Sequence, residues 1–239
     1  MNAFIYGVAL QWKLDLRNKD VLLIYYLVPL LFFAFMGGIF TSIDPLAKNM
    51  LIQSMTIFGV TMGAILGAPT PLIEIYGTEI KKAYKLGGMP LWVGAVNNFI
   101  SAFIHLFIMS LLIFAIAPIA FHAKVPENIV LYFISLSLLI ITNLFVATVL
   151  GLVIKRTSKL TMVSQLVFLP SIMLSGIMFP SELLPDVLQQ IGKVFPATWV
   201  YMIMGKNKIA STDLLPLLII ITLSICMIIW CIVKLKVEE

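Results

Sequence analysis

Charge is what this sequence has least of. Asp, Glu, Lys and Arg together make up 11% of its 239 residues, less than half of the roughly 25% usual in soluble domains. It contains no G-x-x-x-x-G-K-[ST] stretch, so a nucleotide is not cradled here by that device. Gly192–Lys193 and Gly205–Lys206 lack the upstream glycine. Histidine and cysteine are equally scarce, at two each. Cys226 and Cys231 fall within one apolar run and read as small apolar residues, not as a disulfide or a metal pair. With no cluster of ligands and no nucleophile beside a base, the chain is expected to hold no metal and to be no enzyme.

Apolar length takes the place of charge. Six runs are free of Asp, Glu, Lys and Arg: Val21 to Phe40, Met50 to Ile73, Leu91 to Pro118, Val130 to Ile154, Leu160 to Phe179 and Leu214 to Val233. A span needs about 20 apolar residues, and a charge at the bilayer centre costs at least ~2.5 kcal/mol. Six transmembrane helices follow, in one transmembrane domain covering residues 1–239. The charges between the runs give the orientation. With the N-terminus inside, the inner segments hold 11 Lys or Arg and the outer segments 5. That bias places both termini in the cytoplasm of a multi-pass protein of the cell membrane. Anionic lipid at the inner leaflet accounts for the net charge of +5, and no nucleic acid is needed.

The first apolar run is about a full span long, and "FAFMGG" offers no A-x-A-like cleavage site, so no signal peptide is expected. Residues 2–19 read as an interfacial helix, with Phe4, Ile5, Val8, Trp12 and Leu16 near one face.

Two connecting segments carry more information. In "LSGIMFPSELLPDVLQQIGKVFPATW", Pro180 and Pro185 are expected to break the fifth helix at its outer end. A ten-residue helix starting at Pro185 is only ~15 Å long and cannot span. Val187, Leu188, Ile191, Val194 and Phe195 share one face, which predicts an outer hairpin sunk partly into the interface. In "EIYGTEIKKAYKLGGMP", Thr78 can N-cap a short basic helix, and Gly87, Gly88 and Pro90 can close it.

The first of these segments resembles the signature of the type-2 ABC export permeases. The positions that match are Ser175, Gly176, Phe179, Pro180, Leu184, Pro185, Pro196 and Trp199. Six spans with both ends inside is also that family's plan, so the resemblance covers the chain. It implies an all-α fold in which residues 175–199 form an extracellular re-entrant helical hairpin between spans five and six. Ser175, Gly176, Phe179, Pro180, Pro185, Leu188, Ile191 and Pro196 would form an outer gate. It further implies that residues 74–90 form a cytoplasmic coupling helix docking on a separate ATPase. Glu74, Gly77 and Pro90 match the family pattern, and Thr78, Glu79, Lys81 and Lys82 lie on the same helix. The family's flanking arginines are absent, with Ile75 and Tyr76 in their region. ATP and Mg would be held by the partner, as two ATPase copies on a pair of permeases, this chain with a second copy or a related one.

Inside the spans, Gly59, Gly63 and Gly67 recur every four positions, which admits a neighbouring helix closely, within the chain or at a dimer face. Asn98, Ser101 and His105 form a polar line suited to interhelical hydrogen bonds. Gln165 and Ser171, near Pro170, are candidates for a substrate path, or for satisfying backbone groups that the proline frees. The expected function is export of an amphipathic drug, peptide antibiotic or lipid-like molecule, driven by a separate ATPase. The alternative is a self-contained secondary transporter or channel, a class marked by embedded charges or internal repeats.

Overall fold

The computed structural model describes residues 3–43, 45–77, 84, 86–206 and 210–237. Among them there is no strand; the chain is helical throughout. Helix α1 spans Ala3–Arg17. Five helices follow that are long and apolar enough to cross a membrane: α2 (Lys19–Ile43), α3 (Leu51–Gly77), α4 (Trp92–Phe121), α5 (Ile129–Val153) and α9 (Ser211–Leu235, continuing to Val237). Between α5 and α9 lie α6 (Thr157–Met173), α7 (Asp186–Gly192) and α8 (Pro196–Gly205).

The fifth apolar run, Leu160 to Phe179, is shorter as a helix than its sequence suggests. Helix α6 has 17 residues and stops at Met173, before either Pro180 or Pro185. Gly176 supplies the reason: its φ of +87° is left-handed backbone that a helix cannot contain and that glycine tolerates. The chain therefore turns at Leu174–Gly176, and Pro170 sits inside the helix as Leu174 N–H bonds back to the Pro170 carbonyl.

Helix α3 is the axis of the bundle and touches α2, α4, α5, α6 and α8. Its glycines make that possible. A Cβ at Gly59 would lie 2.8 Å from the Met109 methyl, and one at Gly67 would lie 2.8 Å from the Tyr25 ring. At Gly63 it would run into Leu106 and Tyr25. The Gly-x-x-x-Gly face is thus filled by α2 and α4 of the same chain and is not open to a second copy.

Two helices carry a widened turn, Leu23–Leu27 in α2 and Gly63–Gly67 in α3. The two turns pack against each other. Such single-turn π segments are frequent at functional sites.

Helix α1 lies along the first half of α4, and most of its apolar residues stay outside that contact, Trp12 excepted. Phe4, Ile5, Leu10, Leu14 and Leu16 are exposed. The packed side is Gly7, Gln11, Trp12 and Asp15, and a Cβ at Gly7 would lie 2.6 Å from the Asn97 amide nitrogen. The apolar residues look outward, as they would against lipid, and the polar ones look in.

Candidate functional site

The bundle has two ends. One carries α1, the start of α2 and the end of α3; the other carries the α6–α7–α8 turn. Helices α2 and α3 border a cavity at each end, joined by α6 at the first and by the loop that follows α6 and by α8 at the second.

The cavity at the α1 end has a volume of about 430 Å³. Asp20, Thr70 and Glu74 contribute polar groups, Leu23, Ile24 and Leu66 apolar walls, and Ser164 and Gln165 the α6 side. Its inner end abuts the paired π turns, since Ile24 and Gly67 belong to both. The Ser164 hydroxyl is buried there without a hydrogen-bond partner. Of the two path candidates, Gln165 lines this cavity, whereas Ser171 is buried near the far end of α6 and lines neither cavity.

The cavity at the opposite end measures about 440 Å³. Phe40 and Ile43 of α2, Leu51 and Ser54 of α3, Tyr201 of α8 and the Gly176–Glu182 loop line it. Of the expected gate residues, Gly176, Phe179 and Pro180 line this cavity directly. Ser175 is buried and its hydroxyl donates to the Ile172 carbonyl at 2.9 Å, fixing the turn.

The hairpin is held together by backbone more than by apolar side chains. Val187, Leu188, Ile191 and Val194 are exposed in the single chain. A Cβ at Gly192 would lie 2.6 Å from the Leu174 carbonyl oxygen, so α7 crosses the α6 terminus at van der Waals distance. The Thr198 hydroxyl donates to the Gly192 carbonyl at 2.6 Å, and Trp199 Nε1 to the Lys193 carbonyl at 2.7 Å. Pro185 precedes the first turn of α7, and Pro196 occupies the first turn of α8, where a missing N–H costs nothing.

At the α1 end, Glu74 is exposed in the last turns of α3 and Gly77 is the helix's final residue. Among the described residues a Cβ at Gly77 would meet only the Ile73 side chain, at 3.8 Å, so none of them demands glycine there. Thr78, Glu79, Lys81 and Lys82 lie outside the described residues. Pro90 precedes α4, its carbonyl accepting from Val93 N–H.

The residues matched to the signature thus fall at two opposite ends joined by one seam, and residues 3–208 match the family model described as "ABC-2 type transporter". The chain belongs to the ABC-2 type transporter family. It is accordingly a membrane component of an ABC transporter, a transport subunit of a kind that works with an ATP-binding subunit. No curated protein and no solved structure matches it.

One feature of this ABC-2 chain escaped the sequence reading. Asp15 is buried, accepting from Ser101 Oγ at 2.5 Å and Gln11 Nε2 at 2.9 Å. Burial pushes its pKa above the ordinary carboxylate range, Glu74 adds to this, and the two hydrogen bonds oppose it. Beside it, His105 stacks between Trp12 and Tyr25, at 5.8 and 5.5 Å between ring centres, with Nδ1 2.8 Å from the Tyr26 hydroxyl. Asn98 donates to the Ala68 carbonyl at 2.9 Å. The polar line on α4 is therefore the dock for α1, α2 and α3. An Asp at helical spacing from Gln11 was the available signal, masked by Lys13 and Arg17, which make the segment read as a surface.

Proposed function

We propose that this chain is the permease half of an ATP-driven exporter. In this reading α6 is the fifth span and α9 the sixth, both termini lie in the cytoplasm, α1 rests at the inner interface, and α7–α8 form the outer re-entrant hairpin. Two permeases, copies of this chain or this chain and a relative, would work with two ATPase subunits that hold ATP and Mg. The substrate enters the cavity at the α1 end and leaves through the cavity under the hairpin. Its class is amphipathic: both cavities pair apolar walls with a few polar groups, and a bare ion would be poorly solvated along α2, α3 and α6.

The observation that carries this reading is the position of Glu74. It lines the inner cavity and also begins the 74–90 segment expected to dock on the ATPase. A push on that segment acts on the cavity wall directly, which is the linkage that ATP-driven transport needs.

Gly77 provides the test. Among the described residues a Cβ there meets only the Ile73 side chain, at 3.8 Å, so a leucine tests what packs on Gly77 from outside them. In membranes co-expressing the ATPase, Gly77→Leu should insert normally and lose most ATPase co-purification. Undiminished co-purification would mean that the 74–90 segment is an ordinary loop.

A further inference from the structure

The two cavities share α2 and α3 as walls, α6 runs from the first cavity to the loop that lines the second, and one group of side chains lies between them. Phe32 of α2 stacks on Phe58 of α3, with ring centres 3.8 Å apart and planes 11° from parallel. Phe168 of α6 meets Phe58 edge-on at 5.7 Å. On every wall the order is the same. Along α2, Ile24 lines the first cavity and Phe40 the second, with Phe32 midway. Each interval is eight residues, about 12 Å of helix. Along α3, Leu66 precedes the second cavity's Ser54 with Phe58 between them, and along α6, Phe168 separates Gln165 from the Gly176 turn. Phe58 and Phe168 are buried, while Phe32 is partly exposed.

Three leucines would close a seam equally well by bulk. Rings add a second property. A stacked pair is worth more than its buried area alone, and that surplus depends on a flat partner. A planar aromatic guest can replace Phe32 on the face of Phe58 and restore the contact it breaks. An aliphatic guest cannot. Phe32 is the ring free to yield, because it alone of the three is not fully enclosed.

We propose that Phe32, Phe58 and Phe168 form an aromatic gate midway along the α2–α3–α6 seam, and that this gate selects amphipathic substrates with a planar aromatic body. The inference rests on the exporter reading for the direction of passage, but the recognition it describes is a property of this chain.

The test uses the purified chain with its co-expressed ATPase in lipid nanodiscs. Rhodamine 6G, a planar aromatic cation, is titrated by fluorescence anisotropy, and tetrabutylammonium, an aliphatic cation, by calorimetry. Phe32→Leu keeps the bulk and removes the ring. It should weaken rhodamine 6G binding roughly tenfold and leave tetrabutylammonium unchanged. Phe32→Trp keeps a flat face and should hold rhodamine 6G binding within about twofold. Phe168→Leu repeats the comparison should Phe32→Leu not fold, with the same expected split. Equal loss of both probes, or no loss of rhodamine 6G, overturns the gate. The ATPase retained on the same samples is scored separately: its absence from wild-type nanodiscs would contradict the exporter reading, while the two titrations still decide the gate.

Discussion

Helices α3 and α9 are both long enough to cross a membrane, and they invert the soluble-protein rule. Of the five long helices, α9 is the most apolar and α3 the least, yet 89% of the α3 stretch is buried against 17% of α9. In water the most apolar helix would take the centre. In lipid the surroundings are as apolar as leucine, so apolarity draws no helix inward. What places α3 at the axis is close approach at Gly59, Gly63 and Gly67 together with polar groups that find partners across helices. Thr56 lies 2.9 Å from the Tyr132 hydroxyl, and Asn143 donates to Thr61 at 3.3 Å. Helix α9 contains no glycine, packs along α5 and α8 on one side, and presents Leu215, Leu223, Ile229 and Trp230 outward.

The sharpest way to break that comparison is to fill the groove in α3. Gly63→Leu should drive a side chain into Leu106 and Tyr25 and cost roughly 3 kcal/mol or more. The expected sign is loss of the folded peak in detergent size-exclusion chromatography. A smaller effect is expected from Asn98→Leu, which removes the bond to the Ala68 carbonyl beside the α3 π turn. Interhelical bonds of this kind are worth about 1 kcal/mol, readable as a lowered thermal midpoint.

Asp15 extends the contrast to α1, whose polar side is also its buried side. Its docked pKa is raised, so docking is fullest below the ordinary carboxylate value and weakens as pH rises through the docked value. Hydrogen exchange across Ala3–Arg17 should accelerate with pH beyond the intrinsic rate, and Asp15→Asn should flatten that excess. The least effect belongs to α9: Leu223→Ala, on an outward face, should change stability by less than about 0.5 kcal/mol.

The same physics explains what was legible in the sequence. Apolar length and the absence of charge mark where helices run, so all six apolar runs appear as helices, five of them long enough to span. The Gly59-Gly63-Gly67 spacing marks a close contact, and Asn98 and Ser101 mark bonded positions. Which helix answers each contact is not a local property, so the partners of α3 emerge only from the fold. The turn at Gly176 was misplaced to Pro180 because proline advertises itself and a left-handed glycine does not. The docked face of α1 was not legible because apolar spacing at a lipid interface marks the outer side of a helix and leaves the side that meets protein unmarked. The π turns carry no sequence signature, and the Phe32–Phe58–Phe168 cluster unites residues more than 100 positions apart.

The central claim is that this chain moves an amphipathic substrate only when an ATPase drives it. Proteoliposomes holding the chain and its ATPase, loaded with a rhodamine 6G gradient and supplied with ATP at the ATPase side, measure this directly. The account predicts uphill dye movement toward the hairpin side that requires both subunits and ATP, and that stops with Gly77→Leu. Uphill movement by the chain alone, driven by an ion gradient and indifferent to the ATPase, would contradict it and identify a self-contained secondary transporter.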